Sequence, residues 1–386
     1  MKILLLCGSS YGIGTFVRAR ELARWLVEFG HEVVLGYKGN RKFRAEIYER
    51  DGVKEIGIPS FLNRIDLDTM ASPIGHYWIK RYIKKNRFDV VHGFEHYSIV
   101  HSAGIYAVKR WNSLYISDWA DWFSSADERT LFKVPGYRTY MSKKEESVKK
   151  NAHGVTVISR ELEKRAAALH KADRVMYLPG GAPVDRLQPM NKSDCRNKIA
   201  ISQSEMVYGY LGSFLADELI PFLNAFKEIS NEIEARFIVV GKICEALKDY
   251  AIAEGIEDRV IFTGYVSDEE VNQYLCACDA FVLPLRDTDY NRSRWPNKIG
   301  DYMASGRPVI CSNVGEMKQV LMSAEIGIGV GDCISEMYKA MNIYVLDEKK
   351  KETEGKNARK LAEESFAWEL LTRRLENFYY DLLEKR

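Results

Sequence analysis

A repeated alternation of short apolar runs with longer stretches of helical periodicity is the feature that most limits how this chain can fold. The first series of runs is ILLLC, EVVLGY, VKEIGI, FDVVHG, LYIS, GVTVIS and RVMYLP, and the second is VYGYLG, ARFIVVG, RVIFTG, AFVLPL, RPVICS and GIGV. Runs that are apolar at nearly every position are typical of parallel strands covered by helices on both faces. The pattern therefore predicts an α/β fold of two doubly wound, Rossmann-like domains.

A polar passage with proline and glycine, residues 180–204, separates the two series. We predict an N-terminal domain over residues 1–182, completed by a C-terminal helix over residues 366–386, and a C-terminal domain over residues 205–365. A chain of 386 residues suits two domains of ordinary size. Because open parallel sheets bind ligands beyond the carboxyl ends of their strands, we expect the two sheets to face each other across a cleft.

Composition indicates the compartment. No apolar run approaches the roughly 18 to 20 residues that a membrane-spanning helix needs. The short apolar start MKILLLC leads directly into Gly8, so we interpret it as a first strand and not as a signal peptide. The seven cysteines lack paired CxxC spacing, which favours small core residues in a reducing compartment over a zinc site. We therefore expect a cytoplasmic protein.

Charge is distributed unevenly along the chain. Residues 1–190 carry 31 Lys and Arg against 21 Asp and Glu, whereas the rest carries 25 against 33. This asymmetry favours contact of the N-terminal domain with an anionic membrane at the inner face, and a solvated basic face is the alternative. Residues 76–88, HYWIKRYIKKNRF, are basic and aromatic and form either the membrane contact or an ordinary surface helix. We expect no nucleic-acid partner.

A glycine-rich turn follows the first predicted strand, with Gly8, Gly12 and Gly14 preceding an amphipathic helix. Free amides in the first turn of such a helix can hold an anion, so Gly12 and Gly14 are candidate donor-binding residues. A dinucleotide fingerprint also needs an acid at the end of the second strand, which here reads GYK over residues 36–38. NAD binding thus loses its main support, and a tight turn without ligand stays open as an alternative.

The segment FVLPLRDTDYNRSRWPNKIGDYMASGRPVICSNVGE carries the clearest chemistry. A strand leads into an arginine-bearing loop, and a helix is predicted to start at residues 295–298, with proline well placed in its first turn. Helix amides beside guanidinium groups form a strong site for a diphosphate. Asp301, one turn inside the helix, is placed to bind ribose hydroxyls. The predicted donor-binding residues of this segment are Arg292, Arg294, Asn297, Lys298 and Asp301.

The sequence KIGDYMASGRPVI resembles the signature helix and strand of glycosyltransferase family 4, which are retaining enzymes with the GT-B fold. GVTVISRELEKR resembles the segment that closes the N-terminal domain of that family, and FAWELLTRRLENFYYDLLEK its terminal helix. The resemblance implies a nucleotide-sugar donor held by the C-terminal domain and a glycan, lipid-linked or other acceptor held by the N-terminal domain. It also implies a role in cell-surface polysaccharide synthesis, with no cofactor and no metal requirement.

The chain departs from that family at two places. The family commonly has two glutamates eight residues apart; Asp301 matches the second, which binds ribose, but Ser293 stands at the first. The family also tends to have an Arg and a Lys after the first strand of the second domain, where this chain has Ser213 and no such cation. We keep Ser213 as a donor-binding candidate. We expect Arg292, Arg294 and Lys298 to supply the missing positive charge.

Acidic and histidine side chains follow two strands of the N-terminal domain. Family members often have a histidine near the reacting carbon in the loop that here reads LYISDWADWFSS, so Asp118 and Asp121, with Arg294, are the catalytic candidates. The alternative is a core tryptophan and a capping aspartate. His92, Glu95 and His96 follow the preceding strand and are candidates for the acceptor side.

Two further predictions concern loops of the C-terminal domain. Tyr265 and Val266 are placed by position and family likeness to contact the donor base. Asp287-Thr288-Asp289 resembles a metal-binding DxD sequence of another glycosyltransferase fold, but the neighbouring arginines favour ion pairs. Three other functions stay open: an epimerase or phosphorylase of the same fold, an NAD(P)-dependent oxidoreductase, and a binding module without turnover.

Overall fold

The computed structural model describes residues 1–60, 72–126, 133–212 and 216–386. These residues form two compact units. Unit 1 comprises Met1–Gly180, Ser293–Trp295 and Trp368–Arg386, and unit 2 comprises Gly181–Arg292 and Pro296–Ala367. Each unit is an α/β structure built on a parallel sheet, which confirms the predicted pair of Rossmann-like domains.

Unit 1 alternates strands and helices. Its elements are β1 Lys2–Ser10, α1 Thr15–Glu28, β2 Glu32–Lys38, β3 Glu46–Arg50, β4 Val53–Ile58, α2 Pro73–Lys85, β5 Val90–Phe94, α3 Ser98–Trp111, β6 Leu114–Trp119, α4 Tyr137–Lys150, β7 Gly154–Val157, α5 Arg160–Ala167 and β8 Val175–Tyr177, with the last helix of the chain, Trp368–Glu384. The strand order is β3-β4-β2-β1-β5-β6-β7-β8. Neighbours are parallel except β3 and β4, whose hairpin forms one edge.

The two faces of this sheet are buried against different helices. Ile3 and Leu5 of β1 pack in a cluster with α1 and the last helix of the chain, whereas Leu4 and Leu6 pack with α2 and α3. Successive side chains of a strand point to opposite faces, so a fully apolar strand is buried on both sides.

Unit 2 has the same construction. Its elements are α6 Lys192–Lys198, β9 Met206–Leu211, α7 Ala216–Glu232, β10 Ala235–Val240, α8 Glu245–Ala253, β11 Val260–Gly264, α9 Asp268–Ala277, β12 Ala280–Leu283, α10 Asp289–Arg292, α11 Lys298–Ala304, β13 Val309–Ser312, α12 Met317–Ala324, β14 Gly327–Val330, α13 Ile334–Leu346 and α14 Glu348–Leu361; the last helix of the chain, in unit 1, is then α15. The strand order is β11-β10-β9-β12-β13-β14. Successive strands of the chain are added toward one edge up to β11 and toward the other edge from β12 on, so the order reverses between β9 and β12. Ligands of such sheets bind beyond the carboxyl ends of the strands at that reversal.

The cysteines agree with the sequence-based expectation. Those in the described residues are all free, and most are buried. The buried cysteines are Cys7, Cys195, Cys276, Cys278 and Cys311.

Among the described residues, no helix is both long and apolar enough to cross a bilayer.

Candidate functional site

Three neighbouring strands of unit 2 end in glycines with positive φ. The φ angles are 94° at Gly212 after β9, 121° at Gly241 after β10 and 72° at Gly264 in β11. The Gly241 amide donates to the Gly264 carbonyl at 3.2 Å, and a Cβ built on Gly241 would lie 3.2 Å from the Gly212 Cα. Because side chains are absent there, the backbone at this edge is open to close approach by a ligand.

Lys298 brings a positive charge to the same edge. It is the first residue of α11, and its Nζ lies 5.1 Å from the centroid of the Tyr210 ring. A Cβ built on Gly212 would lie 3.2 Å from the Lys298 Cε. The cation therefore stands beside the carboxyl end of β9. Ser213, predicted to bind the donor, lies outside the described residues.

Tyr302 fixes α11 to the sheet, a role that the sequence analysis missed. Its hydroxyl accepts a hydrogen bond from the Leu211 amide at 3.0 Å, and its ring stacks on Phe281 with centroids 4.1 Å apart. Burial raises the pKa of Tyr302 well above its ordinary value, so the hydroxyl stays neutral. The only signal in the sequence was an aromatic residue four positions after Lys298 on the same helical face.

The predicted bounds of α11 were close to those observed. The helix begins at Lys298, at the end of the predicted start region, with Asn297 as its N-cap. It ends before Ser305 and Gly306, and Gly306 adopts a φ of 70°, as expected for a helix C-terminus. Gly300 packs on the backbone, since a Cβ there would lie 2.3 Å from the Gly181 carbonyl oxygen. Asp301, in the first turn, is half-buried.

The prediction that Arg292 supplies free positive charge to the donor needs a correction. Its guanidinium forms a bidentate pair with Asp287, with distances of 2.6 Å and 2.9 Å, and also reaches Asp289. These are the ion pairs predicted for the DxD-like sequence, and they lower the pKa of Asp287. Two carboxylates offset the charge of Arg292, so it is a poor candidate for compensating the missing cations. Nowhere in the described ranges do three His, Cys, Asp or Glu side chains group as metal ligands.

The structure assigns Arg294 and Lys298 to different units. Ser293 and Arg294 belong to unit 1, where the Ser293 carbonyl accepts a hydrogen bond from the Ser159 hydroxyl. The predicted base contacts belong to unit 2. Tyr265 follows β11 and is 83% exposed, and Val266 is half-buried. Tyr265 therefore offers an open aromatic face at the same edge as the three glycines.

In unit 1 the glycine-rich turn is tied to Glu95. Gly12 and Gly14 have φ angles of 73° and 58°, and Gly14 is the N-cap of α1. The first residue of α1, Thr15, donates a hydrogen bond to the Glu95 carboxylate, and so does Ser9 at 3.3 Å. The start of α1 thus already contacts one carboxylate of the protein.

Glu95 is strained and has an unusual carboxyl group. Its φ of 71° is rare for a residue other than glycine. Burial raises its pKa to about 7; Asp121 and Asp118 add to the rise, while hydrogen bonds from Thr15 and Ser9 oppose it. Among the described residues its buried Oε2 has no hydrogen-bond partner. These features keep Glu95, together with the half-buried Asp121, as a candidate for contact with substrate.

Asp118 was predicted to be catalytic, but it is a buried residue of the core. It is fully buried and forms an ion pair with Arg18 at 3.0 Å, and it accepts a hydrogen bond from the Thr156 hydroxyl at 2.7 Å. Arg18 also donates to the carbonyls of Leu178 and Pro179. The pair ties α1 to β6 and to the loop after β8, so Asp118 holds the core of unit 1 together. Nothing in the sequence around Arg18 indicates this role.

His92 is likewise a core residue and not an acceptor contact. Its side chain is fully buried, with Nδ1 2.6 Å from the Tyr379 hydroxyl and Nε2 3.1 Å from the Thr156 hydroxyl. Burial lowers its pKa to about 3, so the ring stays neutral. His96 is also buried, with its ring centroid 4.5 Å from that of Phe123.

Comparison with known families covers most of the chain. The model of Glycosyltransferase Family 4 matches residues 13–186, and the model of Glycosyl transferases group 1 matches residues 205–347. A relative in Mycobacterium tuberculosis, described as a GDP-mannose-dependent alpha-(1-6)-phosphatidylinositol monomannoside mannosyltransferase, is 23% identical over 241 residues, or 58% of this chain. The match spans only 60% of the length of that relative.

Solved structures share the fold along the whole chain. Sucrose-phosphate synthase from Thermosynechococcus elongatus aligns over 100% of both chains with a TM-score of 0.83 and 19% identity. The Anabaena protein HepE, in complex with UDP-glucose, aligns over 99% of this chain and 100% of its own, with a TM-score of 0.75 and 14% identity. The chain therefore belongs to the families described as Glycosyltransferase Family 4 and Glycosyl transferases group 1, and it has the GT-B fold.

Proposed function

We propose that the chain transfers a sugar from a nucleotide diphosphate sugar to a glycan or lipid-linked acceptor, with retention at the reacting carbon. The observation that carries this proposal is the position of Lys298 beside the open glycine edge of unit 2. The oxidoreductase alternative is dropped because the family is that of glycosyltransferases. The names of the relatives, which include a GDP-mannose-dependent enzyme and a protein in complex with UDP-glucose, support this donor class.

The donor would be held by its diphosphate. Negative charge accumulates on the departing diphosphate as the glycosidic bond breaks, so a cation stabilises the transition state more than the bound donor. Lys298 supplies that cation in unit 2, and we keep Arg294 as a further candidate. Asp301 would bind ribose hydroxyls, and Tyr265 would stack on the base.

Retention would follow from the leaving group itself. In a site without a protein nucleophile, an oxygen of the departing phosphate can take the proton of the acceptor hydroxyl on the same face of the sugar. The new bond then forms on the side from which the diphosphate left. In this proposal no side chain has to act as a dedicated base and no metal is needed.

The acceptor side would use unit 1 at an anionic membrane on the cytoplasmic face. The mycobacterial relative is named for a phosphatidylinositol acceptor, which favours a lipid-linked or cell-surface substrate here. Helix α2 buries Ile79 and Ile83 in unit 1, so the side that faces solvent carries its lysines. A basic helix surface attracts anionic lipid. This support is electrostatic, because the apolar face of the helix is already buried.

A thermal-shift screen of nucleoside diphosphates and nucleotide sugars tests the donor proposal. Binding to the native state raises the apparent melting temperature by mass action. We expect UDP or GDP to stabilise the wild type, and Lys298→Ala to lose most of that shift while Lys339→Ala, at an exposed lysine of α13, keeps it. A screen in which NAD(P) alone stabilises the chain would contradict the proposal.

Sedimentation with anionic vesicles tests the membrane contact. Charge reversal at Lys80, Lys84 and Lys85 should release the protein into the supernatant at physiological salt. The matched control reverses exposed lysines on other helices of unit 1 and should still sediment. Equal behaviour of the two variants would count against α2 as the contact. The control positions are Lys143, Lys150 and Lys164.

A further inference from the structure

A cavity lies in unit 2 at the sheet edge opposite to Lys298. Asp279 precedes β12 and Arg307 precedes β13, so both stand at the amino ends of their strands, and α14 covers them. The cavity has a volume of about 470 Å³. Ligand sites for small molecules begin at roughly this size. Neither the family assignment nor the proposed donor site makes use of this cavity.

Asp279, which lines the cavity, is a single carboxylate surrounded by three cations. Asp279 is 3% exposed, and its carboxylate lies 2.8 Å from Lys192 Nζ, 2.6 Å from Arg196 and 3.5 Å from Lys351 Nζ. Burial by itself would raise the pKa of Asp279, but Lys351, Arg196 and Lys192 outweigh burial and lower it. Three cations thus share one buried acid, and Arg196 and Lys351 are themselves buried.

The rim acids reduce this excess but do not remove it. Glu348 pairs with Lys351, one of the three cations around Asp279. The two other rim acids each pair with a further cation, namely Glu352 with Lys356 and Glu363 with Arg359.

Two more cations line the cavity without a carboxylate partner in the described residues. Arg307 donates to the carbonyl oxygens of Cys276 and Cys278, at the C-terminal end of α9, at 2.8 Å each. These contacts occupy only part of its N–H groups, and the carbonyls offset only part of a full charge. Lys360 is exposed on the rim and makes no ion pair with any residue that the structure describes. The described lining therefore carries more positive than negative charge.

We propose that this cavity binds a small, phosphate-bearing molecule at a site separate from the donor site. Arg307 and Lys360 have no carboxylate partner among the described residues, and a multiply charged anion would balance the positive charge that they leave. Guanidinium and ammonium groups together suit phosphate oxygens, the first as a fork and the second as a point charge. Because the site lies at the amino ends of the strands, its ligand does not compete with a donor bound beyond their carboxyl ends.

Thermal unfolding in pyrophosphate tests this site at constant ionic strength. We expect a saturable rise in melting temperature for the wild type and the same rise for Lys298→Ala, in which the donor site is impaired. The paired variant Lys192→Gln/Lys360→Gln should raise the apparent Kd for pyrophosphate by about tenfold. These lysines are partly or fully exposed, so the variant is expected to fold.

The outcomes separate this site from the donor site. Stabilisation that disappears in Lys298→Ala, or that UDP abolishes by competition, would place pyrophosphate at the donor site and overturn the inference. An unchanged Kd in the lysine pair would overturn it as well. A chain that binds pyrophosphate as expected but shows no response to any nucleotide sugar would keep this site and contradict only the proposed transferase donor.

Discussion

The carboxyl group of Glu95 makes stability depend on pH in a direction that can be derived. Its pKa is about 7 in the folded protein, against 4.5 ordinarily, so between these values the folded chain binds more protons than the unfolded chain. The free energy of unfolding contributed by this group therefore falls as pH rises from about 4.5 to 7. In Glu95→Gln this fall is absent.

Urea unfolding of wild type and Glu95→Gln at a series of pH values measures the effect. We expect the stability of the variant relative to wild type to increase between pH 4.5 and 7 and to stay level above. Neutral His92, with its pKa lowered to about 3, gives the opposite slope below pH 6.5, but it is present in both proteins and cancels in the difference. A difference that is constant over the series would show that Glu95 titrates normally.

The buried ion pair of Arg18 and Asp118 is expected to stabilise unit 1. Asp118→Leu leaves a buried guanidinium without its carboxylate, which is expected to cost about 3–5 kcal/mol of unfolding free energy. The double change Arg18→Met/Asp118→Leu should recover most of this loss, because no buried charge is left. Chemical denaturation of Asp118→Leu and of the double variant checks this. Full stability of Asp118→Leu would reject the structural role.

The role of a single residue could be predicted from the sequence only where neighbouring residues indicate it. The charged helix start at Lys298 was predicted because its neighbours along the chain carry the signal. Asp118 was misassigned because its partner Arg18 lies 100 residues away, and His92 because Tyr379 lies 287 residues away. Nothing local distinguishes a buried, paired acid from an open one at the end of a strand.

The hydroxyl of Tyr302 joins α11 to the sheet through hydrogen bonds that can be removed without changing the ring. Tyr302→Phe keeps the stacking on Phe281 but loses the acceptor for the Leu211 amide and the donor to the Val282 carbonyl. We expect a loss of about 1–3 kcal/mol, since a partly buried N–H is left unsatisfied. Calorimetry measures it, and an unchanged melting temperature would mean that water replaces the hydroxyl.

Helix α15 stabilises unit 1 through its apolar face. Leu375 is fully buried in the cluster with α1, whereas Leu370 is 40% exposed. Leu375→Ala should cost about 2–5 kcal/mol, and Leu370→Ala much less, because only the first leaves a cavity in a packed core. Denaturant unfolding of both variants decides the matter, and equal losses would contradict the packing described here.

Element prediction worked where apolar periodicity was strong. The strand runs of both series lie on observed strands, while the edge strand β3 was not predicted. Its sequence EIYER lacks a continuous apolar run, and its side chains are largely exposed. Its pairing with β4 comes from the sheet edge and not from its own pattern.

At the scale of the molecule, the two-domain α/β organisation and the glycosyltransferase family were predictable from the sequence. The opposite charges of the two halves were visible as well. The packing of residues 293–295 in unit 1 was not predictable, because it depends on the folded position of a loop from the other series. The charged cavity beside α14 was missed for a similar reason, since its lining comes from four separate segments of unit 2.

Acceptor-dependent release of nucleoside diphosphate from a nucleotide sugar is the most direct test of the central claim that Lys298 serves the leaving diphosphate. We predict that the wild type and Lys339→Ala release nucleoside diphosphate and form the glycosylated product, whereas Lys298→Ala loses about 100-fold in kcat/KM. If Lys298→Ala matched the wild type in both donor affinity and turnover, the electrostatic role of this helix start would be contradicted.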